Sequence, residues 1–382
     1  MSGGKMSRWP GKYVIGLTGN IATGKSVVRR MLEHLGAYGI DADALAHRAI
    51  SKEAPGYQPV VEAFGNWILT PDGQIDRSRL GQLVFSAPQA LKRLEAIVHP
   101  LVGQALDVLI QRSRHEVIVI EAIKLLESDL AGSCDTIWTT YAPLEVQVAR
   151  LVKKRKMSQA VAQQRVSSQP PQDEKIVAAD VVVRNDGSFD STWQQVSQAW
   201  GDIPAALDMG PVKVQESIAG EMAVERAGPD QAEEIASFIT RMSGGERRLV
   251  RDDVMAAFGE KAFLLLKSGD RILGLVGWQV ENLVARTDDV YVNQRVSFQD
   301  AMHRLLVEVE RASRELQCEI ALLFLPPDLA GQGDIWRSLG YEPRTIESLN
   351  VRAWQEAAEE SMPDGSDMLF KQLREDRVLR PV

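Results

Sequence analysis

Gly19, Asn20, Ile21, Ala22, Thr23, Gly24, Lys25 and Ser26 satisfy the spacing G-x-x-x-x-G-K-[ST]. The spacing has a physical purpose. Glycines let successive backbone N–H groups turn inward around an anion, and a following helix adds the positive end of its dipole. The lysine can then reach the β and γ phosphates of a nucleotide, and the hydroxyl suits Mg²⁺. Two carboxylates follow in "GIDAD", Asp41 and Asp43, at the end of a predicted strand. Ligands of open α/β sheets bind at that end of the strands. In extended chain residues i and i+2 share a face, so both aspartates are expected to point toward the phosphates. One could accept the proton of an attacking hydroxyl or help to hold a metal. Taken alone, the same residues also read as a solvated turn and helix start, and their spacing from the phosphate loop favours the chemical reading.

Such groups need elements to hold them. "YVIGL" (13–17) is an unbroken apolar run before the glycines, which predicts a strand buried on both faces. In "SVVRRMLEHLG" the apolar Val27, Met31 and Leu35 recur every four residues, a helix that Gly36 ends. Further strands are predicted at 37–41, 117–121, 136–140 and 180–185, with helix-like segments between them. Residues 12–202 therefore read as an α/β domain with a doubly wound parallel sheet. Prolines, glycines and small residues without periodicity mark 203–221 as a linker.

The pattern then changes. Residues 222–345 predict a helix, a hairpin turning at Ser268, Gly269 and Asp270, another strand, and an amphipathic helix carrying Met302, Leu305, Leu306, Val309 and Leu316. A final strand at 319–325 completes an expected antiparallel sheet crossed by helices, an α+β domain. Residues 346–382 are charged and read as a tail, either a helix packed on one domain or partly loose.

Composition narrows the partners. With 44 Lys+Arg against 52 Asp+Glu, the net charge of -8 gives no expectation of non-specific binding to nucleic acid or to an anionic membrane. The two cysteines, Cys134 and Cys318, lie in neither a CxxC nor a Cys/His cluster, so no disulfide framework or zinc site is indicated. The opening "MSGGKMSRWPGK" lacks the apolar core of a signal peptide, and no run reaches the ~18 apolar residues of a membrane span. A cytoplasmic protein is expected.

"GLTGNIATGKS" and "LGAYGIDADALAHRAI" resemble the two leading motifs of dephospho-CoA kinases, and "GQIDRSRLGQLVF" with "IVHPLV" resembles two more. Arg150, Arg155, Arg165, Gln169, Lys175, Asp180 and "NDG" at 185–187 are in register with the family's lid and last strand. The resemblance covers 13 to about 200 and implies a P-loop kinase fold with a helical lid. It also implies transfer of the ATP γ-phosphoryl group to the ribose 3′-hydroxyl of dephospho-CoA. ATP would then be bound by Gly19 to Ser26 with Val27 and Asn185, although "NDG" alone is first a turn. Mg²⁺ would be held through Ser26, with Glu121 behind it. Lys25, Asp43 and Arg155 would act in catalysis, and Asp41, Asp43, His99, Lys124 and Arg165 would meet the acceptor.

Plainer readings stand beside several of these. The run "RLVKKRK" reads as a solvated helix face, with Arg155 the expected exception; His99 reads as a capping or packing residue near a helix N-terminus. The family's P-L-L-x-E segment is replaced by "AIKLLES", so Lys124 is either an anion contact or a solvent-facing lysine at a helix start. Another P-loop small-molecule or nucleoside kinase, or a nucleotide- or CoA-sensing protein, shares the loop without needing the other motifs.

The order of elements in 222–345, together with "LGY" at 339–341, resembles GCN5-related N-acetyltransferases. Those enzymes hold the pyrophosphate of acetyl-CoA on a glycine-containing Q/R-x-x-G-x-[GA] loop. Here the matching run, "YVNQRVSFQDAMHRLL", contains no glycine, and Asp300 sets a negative charge at the helix start. The expectation is a degenerate domain that serves packing, homo-oligomerisation or regulation.

Overall fold

A computed structural model describes residues 8–203 and 222–376. Of the expected linker only Ile203 is described; the rest of it, and residues 377–382 of the expected tail, lie outside the described residues. The described residues divide into two compact units. The first falls within Met1–Asp41, Arg114–Gly277 and Tyr291–Leu305, and the second within Ala42–Ser113, Trp278–Val290 and Leu306–Val382. Each unit takes residues from both sides of the expected linker.

The first unit opens with β1 (Tyr13–Thr18), α1 (Lys25–His34) and β2 (Tyr38–Asp41). The second contains α2 (Ala42–Ala49), α3 (Tyr57–Phe64), α4 (Arg77–Ser86) and α5 (Pro88–Arg112). The chain then returns to the first unit with β3 (Val117–Glu121), β4 (Thr136–Tyr141), α6 (Leu144–Arg155), α7 (Gln159–Ser167), α8 (Gln172–Ala178), β5 (Val181–Arg184) and α9 (Phe189–Gly201). These five strands pair in parallel in the order β2-β3-β1-β4-β5. Helical crossovers compel that arrangement, and helices on both faces explain why β3 is buried at all five positions. Ile15, Leu17, Val119 and Trp138 from the sheet pack with Val28, Met31 and Leu32 of α1, the apolar stripe legible in the sequence.

Beyond the linker come β6 (Met222–Arg226), α10 (Ala232–Met242), α11 (Arg251–Phe258), β7 (Ala262–Ser268), β8 (Arg271–Glu281), β9 (Val284–Val292) and α12 (Phe298–Glu315). They are followed by β10 (Ile320–Leu325), α13 (Pro327–Ala330), α14 (Gly333–Ser338), β11 (Glu342–Pro343), α15 (Arg352–Ser361) and β12 (Asp367–Gln372). The strands form one sheet in the order β11-β12-β10-β9-β8-β7-β6. The predicted hairpin is present, with Gly269 at φ 57 supplying the left-handed residue of its turn.

One expectation is corrected here. The sheet is mixed rather than antiparallel, because α12 crosses between β9 and β10 and leaves them parallel. Of the two readings of residues 346–382, the packed helix is the one present: Trp354, Ala357 and Ala358 of α15 pack on Ile320, Leu322 and Phe324, and β12, which the sequence did not indicate, runs antiparallel to β10. The segment's charges lie beside a short apolar core, "MLF" in β12 and Ala353, Trp354, Ala357 and Ala358 in α15, which composition averaged over the segment conceals. Among the described residues no helix is long and apolar enough to cross a membrane.

Candidate functional site: the phosphate loop and its surroundings

The loop leaves β1 at Thr18 and enters α1 at Lys25, as the spacing predicts. Two of its glycines are geometrically required. Gly19 has φ 146, and a Cβ there would lie 2.4 Å from the Thr140 hydroxyl; Gly24 has φ 98, and its Cβ would lie 1.8 Å from Asn185 Nδ2. Ala22 takes the left-handed region at φ 59 despite its side chain, a conformation that costs roughly 1–2 kcal/mol. No side chain caps α1 and no acid stands in its first turn, so the amide end of its dipole is left for an anion.

The loop is held from several directions. Asn185 Nδ2 donates to the Thr23 carbonyl at 2.9 Å, and Arg150 donates to the carbonyls of Ala22 at 3.0 Å and Asn185 at 2.7 Å. Gln169 Oε1 accepts the Ile21 amide at 2.7 Å, and Asn20 Nδ2 donates to the Pro170 carbonyl at 2.8 Å. Thr23 and Thr140 share a hydrogen bond of 2.6 Å between their hydroxyls. The side-chain amide of Asn185, expected to meet nucleotide, is thus committed to the backbone of the loop, with Thr192 donating to its oxygen at 3.2 Å.

Charge is arranged around this frame. Lys25 is buried, and its ammonium donates to the carbonyls of Gly19 at 3.1 Å and Asn20 at 3.2 Å, over the loop. The Ser26 hydroxyl donates to Glu121 Oε1 at 3.0 Å, while Arg29 Nε donates to Glu121 Oε2 at 2.8 Å and its Nη1 to Glu33 at 2.7 Å. Burial works against the charge on Arg29, but Glu33, Glu121 and Asp41 outweigh it and hold its pKa above the usual value. A hydroxyl that gives its proton to a carboxylate keeps its lone pairs for a cation, so Ser26 fits Mg²⁺. Both oxygens of Glu121 are engaged, which fits a group orienting Ser26 rather than a direct ligand.

The other expected site residues are distributed over the two units. Asp41 ends β2 in the first unit, but Asp43 lies in the first turn of α2 in the second, so the two do not share a face of extended chain. The strand passes into helix between them, which changes the repeat from two residues toward 3.6. His99 is exposed within the 25-residue α5, not at a helix N-terminus, and the helix continues through Pro100. Lys124 is exposed in the turn after β3, where no helix begins. Arg155 closes α6 and Arg165 lies in α7, both exposed like Lys153, Lys154 and Lys156.

Several supports have little local signature. Arg29 reads in the sequence as a polar-face residue of α1, and only the return of β3 beside β1 and β2 brings Glu121 to it. Lys175, in register with the resemblance, donates to the Ile123 carbonyl at 2.6 Å and so braces the turn after β3. Asp180 instead holds a strand: its carboxylate accepts the Ile137 amide at 2.7 Å.

The helix start that would face acetyl-CoA in an acetyltransferase is built differently. Ser297 accepts the Asp300 amide on its hydroxyl at 3.4 Å and the Ala301 amide on its carbonyl at 2.9 Å, and Asp300 stands in the first turn of α12.

A sequence profile for dephospho-CoA kinase matches residues 13–191. A dephospho-CoA kinase of Geobacter metallireducens is 44% identical over 190 residues, covering 49% of this chain and 94% of that protein. One from Geobacter sulfurreducens is 40% identical over 190 residues, covering 49% and 96%. Among solved structures, a GNAT-family acetyltransferase of Staphylococcus aureus Mu50 is similar with a TM-score of 0.33 at 14% identity, covering 40% of this chain and 100% of that one.

Proposed function

The chain belongs to the dephospho-CoA kinase family, and from that premise we propose how its residues move the γ-phosphoryl group of ATP to the ribose 3′-hydroxyl of dephospho-CoA. The observation that carries the reading is the uncapped start of α1 behind a loop whose glycines are sterically required. The loop from Gly19 to Ser26 cradles the β and γ phosphates with the amides at the start of α1, the Ile21 amide being held by Gln169, and Lys25 exchanges its two carbonyl partners for phosphate oxygens. Val27 continues the loop into the helix, and Asn185 serves ATP by holding the loop's backbone in place.

Mg²⁺, when bound, neutralises charge on the phosphate oxygens; Ser26 would hold it, with Glu121 and Arg29 setting the direction of the hydroxyl. Asp43 receives or orients the proton of the attacking 3′-hydroxyl, and Asp41, His99, Lys124 and Arg165 contact the acceptor. Arg155 closes over the transferred group with the lid. Phosphoryl transfer asks for positioning and electrostatics more than for covalent chemistry, and exposed arginines on α6 and α7 suit a closing role.

The C-terminal region does not transfer acetyl groups in this reading, because Ser297 and Asp300 occupy the helix start that would have to receive a pyrophosphate. An ADP-coupled assay over dephospho-CoA, a set of nucleosides and buffer tests the kinase reading. ADP is expected to form only with dephospho-CoA, and a nucleoside turned over faster would assign another acceptor. Asp43→Asn is expected to lower turnover about a hundredfold or more, the usual contribution of a general base.

A further inference from the structure

In the second unit, the helical segment that carries Asp43 is packed with the C-terminal part of the chain. At its surface the contact is ionic: Arg77 of α4 meets Glu356 of α15 at 3.0 Å, and Arg112 of α5 meets Asp376 at 2.9 Å. Exposed pairs of this kind contribute little. The pair beneath them is of another kind. Arg48, in the last turn of α2, donates from Nη2 to Glu319 Oε1 at 2.6 Å, and the side chains of the two are only 8% and 1% exposed. Arg48 Nη1 donates to the Asn282 carbonyl at 2.5 Å, and the second oxygen of Glu319 accepts Trp354 Nε1 at 3.0 Å.

Glu319 is itself immobilised. Its amide donates to the Leu283 carbonyl at 2.8 Å, and its own carbonyl accepts the amides of Leu373 at 2.9 Å and Arg374 at 3.2 Å. It therefore sits where the chain enters β10, tied on one side to the residue before β9 and on the other to the residues after β12. A buried arginine whose hydrogen bonds go to such fixed acceptors has one admissible position, since displacement would strand a charge away from water. Asp43 is five residues earlier on the same helix of eight, roughly 7.5 Å along its axis. A rigid helix that short transmits the placement of one end to the other.

We infer that Glu319, acting through Arg48, is a positioning residue for the kinase reaction, so that the C-terminal region fixes the helix on which Asp43 stands. The inference rests on the reading of Asp43 given above. It assigns the C-terminal region a part in phosphoryl transfer that needs no ligand of its own, and misplacement of a reacting group by about 1 Å is enough to cost about a hundredfold in rate.

Full-length Glu319→Gln keeps the shape and removes the charge that holds Arg48. It is expected to lower kcat/KM for dephospho-CoA at least tenfold while the Kd for ATP, measured by calorimetry, stays within twofold; Glu319→Asp should recover part of the loss. In an Asp43→Asn background Glu319→Gln should add less than a twofold further loss, because its effect runs through Asp43. Equal changes in ATP binding and in turnover, or losses that multiply in the double variant, would overturn the inference. Should Glu319→Gln not fold, Trp354→Phe removes one hydrogen bond to the same carboxylate and is expected to lower kcat/KM about threefold without changing ATP affinity; an unchanged kcat/KM overturns the inference. An Asp43→Asn chain with normal turnover breaks the premise, whereas an impaired Asp43→Asn chain beside an unimpaired Glu319→Gln chain breaks the inference alone.

Discussion

Two helices of this protein begin where a phosphate could be held, and they begin in opposite ways. Helix α1 starts after Gly24 in the left-handed region, without a side-chain cap and without an acid in its first turn. Helix α12 starts after Ser297, whose hydroxyl accepts the Asp300 amide, and carries Asp300 itself in its first turn. A helix N-terminus has donors and positive potential to offer, and whether they reach a ligand depends on what the neighbouring residues have already used. At α1 the surrounding side chains hold the loop by its carbonyls and by the Ile21 amide, and none of them caps the helix start. At α12 the chain binds itself.

The comparison can be broken most readily at α1. Lys25→Met removes the one buried cation of the loop, and kcat/KM is expected to fall about a thousandfold, close to 4 kcal/mol of transition-state stabilisation. Gly24→Ala should weaken ATP binding about a hundredfold, measured as Kd, because the added methyl meets Asn185 and φ 98 is strained for any L side chain. Gly24→Ala with Asn185→Ala should recover little, since the clash is relieved but the backbone strain is not.

The far end of α1 gives a smaller effect that depends on pH. His34 accepts from Arg226 on Nδ1 at 3.4 Å and uses Nε2 on the Phe258 carbonyl at 2.9 Å, so the neutral ring is the one that fits. Burial and the neighbouring Arg226 push its pKa down to about 3. The unfolded chain takes up this proton below about pH 6.5 and the folded chain does not, so stability is lost as pH falls from 6.5 toward 3. Between pH 7 and 5.5 chemical denaturation should show a loss of about 1 kcal/mol that His34→Gln largely removes. The smallest effect belongs to α12. Ser297→Ala is expected to cost about 0.5–1 kcal/mol of stability as a lost cap while leaving kcat for dephospho-CoA unchanged. Any gain of acetyl-CoA turnover in that variant would show that capping alone had silenced the helix start.

Legibility in the sequence followed the range of the interactions. The phosphate loop, the apolar strands β1 and β3 and the stripe of α1 are local patterns, and they appear where the sequence places them. The reading of Asp41 and Asp43 as neighbours on one strand failed because a single residue, Ala42, begins the helix between them. His99 read as lying near a helix N-terminus, yet it stands inside α5, which continues through Pro100. The strand at the end of the chain was missed for a different reason: β12 is defined by its partner β10, and the few apolar residues of a sheet strand are outweighed in composition by the charges around them.

What the sequence determined by itself is the kind of chemistry, because the spacing of the phosphate loop is a local pattern within eight consecutive residues. The tertiary structure decided which charges cooperate. Glu121 reaches Ser26 and Arg29 only when β3 lies between β1 and β2, and Arg48 meets Glu319 across 271 residues of chain. No local pattern marks a glutamate as the partner of a distant arginine, since such a pair is chosen by burial, and burial is a property of the folded chain as a whole.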